Sequence, residues 1–338
     1  MGNIVITTIQ TPTPSVLSMV AIAKKNGMKI IAIGDKKTPL VEWPVDSEFV
    51  SLDAQRKLNY TLVADLPENH YSRKNIGYLL AMSHRSHVIF DTDDDNAPMD
   101  AWQARTVQTV ARPCLDSGWI NAYSWFSDAH IWPRGLPLDK VAHAVKPGNL
   151  GALTEVIAPI QQGLANGSPD VDAVWRLLMD KEITFDVAAS VHLPPGAWCP
   201  FNSQSTWWYP AAYPLMYLPS FVSFRMTDIW RSFIAQRCLW ALGYGVVFHA
   251  AEMFQDRNPH NLMRDFEQEI PGYLNNERIR TILERLNLLP GEGEVASNLH
   301  RCYEALIQEG LIPKNEMKLL ELWLLDLEQI NGKINYRD

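Results

Sequence analysis

Four aspartates occupy five positions at the end of an apolar run, Val88-Ile89-Phe90-Asp91-Thr92-Asp93-Asp94-Asp95-Asn96. The β-favouring lead-in reads as a buried strand, which puts the carboxylates where a sheet edge meets a ligand crevice. Like charges a few ångströms apart repel by about 1 kcal/mol even in water and by more near a protein surface, so the cluster calls for a cation. A hard divalent ion with oxygen ligands suits it. Asp93 and Asp95, two apart on an extended segment, point the same way and could share that ion. Asp91 and Asp94 then face elsewhere. The competing reading is a solvated turn after a strand.

The first hundred residues carry the elements that would position such a site. Ile4 to Ile9 reads as a strand, and Thr13-Pro14 supplies an N-cap and an N1 proline for a helix through Val16, Met19, Val20 and Ala23 that Gly27 ends. Lys29 to Asp35 is a second strand, a weaker one lies near Glu48 to Leu52, a helix runs from about Ser72 to Ser83, and the aspartate strand follows. This order predicts an α/β fold with a mainly parallel, doubly wound sheet and helices on both faces. A phosphate-type ligand would lie over its carboxyl edge, with Thr7 and Thr8 at the end of the first strand and Asp35 at the end of the second. Asp35 could equally cap a turn. Arg73 and Lys74 open a helix, where their charges and its N–H groups could meet phosphate, or they are solvated basic residues.

Farther along, residues 112–150 and 190–220 are rich in Pro, Gly and aromatics and read as structured loops walling a cleft. Trp207, Trp208, Tyr209 and Tyr213 could stack on sugar faces or simply bury area. A helix starts at Thr227 and stops at Gly243, and Gly245 to Ala250 is a short strand. Asp170 and Asp172 could bind sugar hydroxyls or start a capped helix. Residues after about Ile270 read as helices, and the stripe of Leu319, Leu320, Trp323, Leu324 and Leu327 is core or a dimer face.

With 338 residues, 47% hydrophobic and 20% charged, the chain suits one large domain or two closely joined ones. A net charge of −8 argues against nucleic acid or an anionic membrane as the main partner. Cys114, Cys199, Cys238 and Cys302 are scattered in neither a zinc nor a disulfide pattern. They fit a reducing compartment, and a soluble, cytoplasmic protein is expected, with peripheral membrane association open. No apolar stretch of about 18 residues is present.

Several segments together resemble the STELLO-type family of glycosyltransferases: Val5 to Pro39 ending in Gly34-Asp35-Lys36-Lys37-Thr38-Pro39, Ser72 to Tyr78, Phe90 to Asn96, Pro159 to Leu164, Pro169 to Ala173, Phe201-Asn202-Ser203-Gln204 and Phe224 to Arg231. The resemblance covers roughly residues 3–265. It implies a GT-A-like fold, with a donor-binding half over 1–110, an acceptor-side half over 111–265, and a helical extension over 266–338 that could mediate homo-oligomers. It further implies a nucleotide-sugar donor, commonly linked to UDP, a glycan or other hydroxyl acceptor, and Mn2+ or Mg2+ on an Asp-x-Asp motif, here Asp93 and Asp95, with Asp94 or Asp91 left to hold ribose, a sugar hydroxyl or a bound water. Plant members carry a membrane anchor and act in the Golgi. Asn75, Asn202 and Arg257 join Thr7, Thr8, Asp35, Arg73, Lys74 and Asp94 as donor-binding residues. His260, ahead of His249, would be a third metal ligand. Asp228 at the start of its helix would be the base that deprotonates the acceptor hydroxyl, or a stabilising first-turn aspartate.

Three other readings compete. In a haloacid-dehalogenase-like phosphatase Asp91 would be the nucleophile and Asp93 the acid, although Asp95 stands where a threonine or valine is expected there. A nucleotide-sugar mutase or a non-catalytic nucleotide-sugar binder would use the same aspartates.

Overall fold

In the computed structural model, which describes residues 2–144, 148–256 and 261–335, the opening elements are β1 (Gly2–Thr8), α1 (Pro14–Lys25), β2 (Met28–Gly34), β3 (Ser47–Val50), α2 (Leu52–Gln55), α3 (Lys74–Ser83) and β4 (Ile89–Thr92). The Thr13 hydroxyl accepts from the Val16 N–H at 3.1 Å with Pro14 in the first turn. Gly27, at φ +65°, follows the helix in a left-handed conformation that costs other residues more. The order β3-β2-β1-β4 is parallel throughout.

Alternate residues of these strands enter different cores. Ile4, Ile6, Ile30, Ala32 and Phe90 pack with Val16, Met19 and Ala23 of α1. Val5, Ile31, Ile33 and Ile89 pack with Ile76, Leu79 and Leu80 of α3. Burial on both faces explains the nearly unbroken apolar runs of β1 and β2. Connections leave the region of β1 toward β2 on one side and return to β4 on the other, so a crevice opens at the carboxyl ends of β1 and β4.

The sheet continues through β5 (Asn96–Pro98), β6 (Gln108–Pro113), β8 (Thr154–Ile157), β9 (Ile160–Gly167), β10 (Val191–Leu193), β12 (Ser205–Trp208) and β13 (Val246–Gln255), while β7 (Gly118–Trp119) and β11 (Ala197–Trp198) form a separate pair. β12 runs antiparallel to both β4 and β9, and β13 is parallel to β9. The parallel sheet read from the first hundred residues therefore continues as a mixed one, within the expected α/β, GT-A-like architecture. β13 also runs five residues past the expected strand end, bringing Gln255 to the crevice.

Trp207 and Trp208, on β12, are fully buried, and Trp207 lies 4.4 Å from the Phe90 ring. Tyr213 is buried and donates to the Ser86 carbonyl. Trp207 and Trp208 are core residues rather than sugar platforms, because β12 sits in mid-sheet with both faces covered, and Tyr209 and Tyr213, just beyond its end, are buried as well.

The remaining helices are α4 (Val141–Ala144), α5 (Ala173–Met179), α6 (Thr227–Ala241), α7 (Leu262–Arg285), α8 (Val295–Gln308) and α9 (Glu316–Asn335). The boundary expected between 265 and 266 falls inside α7. Leu319, Leu320, Trp323 and Leu327 are buried in the same core as Val5 and Ile76, with Leu324 packed against it, so the stripe is a core face.

Candidate functional site

β1, β2 and β4 end side by side, and beyond β4 the chain turns through Asp93, Asp94 and Asp95. A cleft of about 410 Å³ lies over these ends, bordered by Thr7, Thr8, Asp35, Tyr71, the three aspartates and Gln255. That volume suits a small-molecule ligand.

The four aspartates have four different environments. Asp91 is completely buried, with Lys74 Nζ at 2.7 Å from Oδ1 and Arg231 Nη2 at 3.0 Å from Oδ2. It cannot reach ribose or a sugar hydroxyl in the cleft. Asp93 Oδ1 accepts from Tyr71 Oη at 2.8 Å and from Lys74 Nζ at 3.0 Å. Burial raises the Asp93 pKa, Lys74 opposes the rise and Asp91 adds to it. Asp94 Oδ2 accepts from the Thr8 hydroxyl at 2.5 Å, and the Asp94 carbonyl accepts from Thr13 Oγ1 at 2.6 Å, which ties the turn to β1 and α1. Asp95 Oδ2 accepts from Gln255 Nε2 at 3.0 Å, while Oδ1 is buried without a hydrogen-bond partner. Burial first, then the charges of Asp93 and Asp94, push its pKa up to about 7. Among the described residues no three His, Cys, Asp or Glu side chains form a ready metal cage.

The basic residues read as phosphate ligands turn inward. Lys74 is fully buried, and Asp91 and Asp93 outweigh the burial that would lower its pKa. Arg73 borders the cleft, yet its guanidinium donates to Gln55 Oε1 at 2.8 Å and to the Leu66 carbonyl at 3.1 Å. Asn75 is buried away from the cleft with its amide paired to both the N–H and the carbonyl of Leu218. Buried carboxylates and carbonyls drew these groups in, because an unpaired polar group there would cost more than a phosphate contact outside returns. Asp35 lines the cleft and accepts from the Asn69 N–H at 2.8 Å and the His70 N–H at 3.0 Å, so it does cap a turn.

A smaller, polar chamber of about 90 Å³ adjoins the cleft and shares Asp93, Arg225 and Gln255 with it. Asp228, Asp170, Arg134, Arg176, Asn202 and Gln204 complete it. Arg134 lies between two carboxylates, 3.0 Å from each oxygen of Asp228 and 2.7 and 2.8 Å from those of Asp170. Burial works to raise the Asp228 pKa, but Arg134 prevails and lowers it. Asp228 stands in the first turn of α6, as expected, with both carboxylate oxygens held by Arg134. Asp172 caps a helix of its own: its Oδ1 accepts from the Trp175 N–H at 2.8 Å at the start of α5, and Oδ2 from Trp132 Nε1 at 2.5 Å. Asn202 reaches the chamber, and its Oδ1 accepts from the Gln204 N–H at 2.9 Å.

His249 is almost completely buried in β13 between Ser190 Oγ at 2.7 Å and Gln161 Oε1 at 2.9 Å, away from both chambers. Its burial holds the imidazole neutral, and it is a core histidine. Arg257 and His260 lie outside the described residues.

Sequence reading missed Tyr71, Arg134, Arg225, Gln204 and Gln255. Gln204 and Arg225 stood in segments that carry the resemblance, Gln255 lies five residues beyond the strand end expected from the sequence, and the long-range partners of Arg134 left no local signal.

The family model for STELLO glycosyltransferases matches residues 225–336, from the chamber wall to the end of α9. The chain is 31% identical, over 96% of its length, to two Arabidopsis thaliana proteins named "Probable glycosyltransferase STELLO2" and "Probable glycosyltransferase STELLO1", and spans 44% of each. Among the described residues no helix is long and apolar enough to cross a membrane.

Proposed function

Since this chain belongs by sequence with the STELLO glycosyltransferases, over the part of those proteins that it spans, we propose that it binds a nucleotide-sugar, most simply one linked to UDP, in the cleft and transfers the sugar to an acceptor hydroxyl entering through the Asp228 chamber. The contiguity of two chambers at Asp93 carries this reading, one of a size for a nucleotide-sugar and the other small and polar.

Asp93 and Asp95 fit a divalent ion, manganese or magnesium. The buried, partnerless Oδ1 of Asp95 is an oxygen a cation would satisfy, and a carboxylate crowded by two others gains from neutralisation. When bound, the ion would offset negative charge developing on the departing diphosphate. His260 is the proposed third ligand. Thr7, Thr8 and Asp35 border the end of the cleft formed by β1 and β2, the side proposed for the nucleoside. Arg134 keeps Asp228 ionised, so this carboxylate can accept a hydrogen bond from the attacking hydroxyl and orient it, at some loss of basicity.

The phosphatase alternative is disfavoured because its nucleophile would be Asp91, sealed between Lys74 and Arg231. A thermal-shift panel of nucleoside diphosphates and nucleotide-sugars, with and without manganese, tests the proposal. UDP plus manganese should raise the Tm by more than either alone, since a ligand that binds only the folded state stabilises it. No shift with any nucleotide and metal would overturn it. Ring interconversion of the donor without acceptor would favour a mutase, and binding without turnover a non-catalytic binder.

A further inference from the structure

A line of amides joins the two chambers. Gln204 Nε2 donates to the Ser168 carbonyl at 3.2 Å and to Gln255 Oε1 at 2.7 Å, and Gln255 Nε2 donates to Asp95 Oδ2 at 3.0 Å. Amide orientation follows from the network around it, and here the carbonyl end fixes it. A backbone carbonyl can only accept, so Gln204 must present Nε2 to Ser168; that same nitrogen meets Oε1 of Gln255, which leaves Gln255 Nε2 facing Asp95. The base of this line is rigid: Gln255 is paired in the sheet with Asn96 on one side and Gly167 on the other. Gly167, at φ +81°, has room for no side chain, since a Cβ would stand 2.6 Å from the Gln255 carbonyl.

We infer that Gln255, oriented by Gln204, is a positioning residue that pins Oδ2 of Asp95 so that Oδ1 is presented to the divalent ion. The inference rests on the metal-binding reading given above. A carboxylate free to rotate would lose orientation before it lost charge, and groups that hold metal ligands in place commonly contribute about 10-fold or more to metal affinity. Because Gln255 borders both chambers, the same contact registers the acceptor side against the metal side.

The test is the binding of manganese alone and of manganese with UDP, read from loss of the free-ion paramagnetic resonance signal, in wild type, Gln255→Met, Gln204→Met, Asp95→Asn and the Gln255→Met/Asp95→Asn double variant. Gln255→Met should weaken manganese about 10-fold, Gln204→Met less, and Gln255→Met should cost little more once Asp95→Asn is present, because one residue acts through the other. Wild-type affinity in folded Gln255→Met, or a full additional loss in the double variant, would overturn the inference. Should Gln255→Met fail to fold, unchanged affinity in Gln204→Met would overturn the role of the line. Wild-type affinity in Asp95→Asn would instead remove the metal site, and the inference with it.

Discussion

Asp228 and Asp172 show how environment divides the work of one residue type. The fork of Arg134 holds Asp228 ionised in the smaller, polar chamber. Asp228→Asn should therefore lower turnover by roughly 10²-fold with donor affinity little changed; near-normal transfer in a steady-state assay would remove it from the mechanism. Asp172 is buried at an N-cap, and burial above all pushes its pKa up to about 7. A carboxyl whose pKa is higher folded than unfolded binds more protons when folded, so its contribution to stability is lost as pH rises from about 4 to about 7. Asp172→Asn should flatten that part of the stability profile, measured as the change in urea midpoint between pH 5 and pH 8. An unchanged profile would contradict the assignment. The aspartate cluster was legible because four carboxylates after an apolar run are informative without any partner in view. The inward turn of Arg73, Lys74 and Asn75 was not, because Gln55, Asp91 and Leu218 reach them only through the fold.

The elements at the amino-terminal end were the most legible, since helix signals such as Thr13-Pro14 and Gly27 are local and β1 and β2 carry continuous apolar runs. The antiparallel insertion of β12 between β4 and β9 was not, because Trp207 and Trp208 follow a proline-rich stretch that reads as loop. One unremarked glycine governs the distance between α3 and the sheet. A Cβ at Gly77 would stand 2.6 Å from Val5 Cγ1 and 2.9 Å from Ile33 Cγ1, both core atoms under the site. Gly77→Ala should destabilise the fold by about 1 to 3 kcal/mol, the usual cost of overpacking, despite alanine's better helix propensity. Chemical denaturation measures it, and a gain in stability would show that α3 can lift off the sheet freely.

Across the whole molecule, the carboxyl-terminal helices are structural partners of the site. Glu316 accepts from the N–H groups of Ser220 and Phe221 at 2.9 and 2.7 Å, just before the Phe224–Arg225 wall of the cleft. Asp326 accepts from the N–H groups of Thr61 and Leu62 at 2.7 and 2.9 Å. Trp323, fully buried with its Nε1 donating to the Pro214 carbonyl, locks α9 in place. Trp323→Ala should cost about 3 to 5 kcal/mol and loosen the cleft wall with it, seen as loss of hydrogen-exchange protection in residues 217–226; protection unchanged there would separate the helices from the site. The proposed function requires that Asp93 and Asp95 form a metal-dependent nucleotide site. Calorimetric titration of UDP into wild type and Asp95→Asn, with and without manganese, tests that requirement. Wild type should bind UDP tightly only with manganese, and Asp95→Asn should lose that dependence while its apo form stays as stable as wild type or gains, since a like-charge repulsion is relieved. Equal manganese-dependent affinity in the two proteins would contradict it.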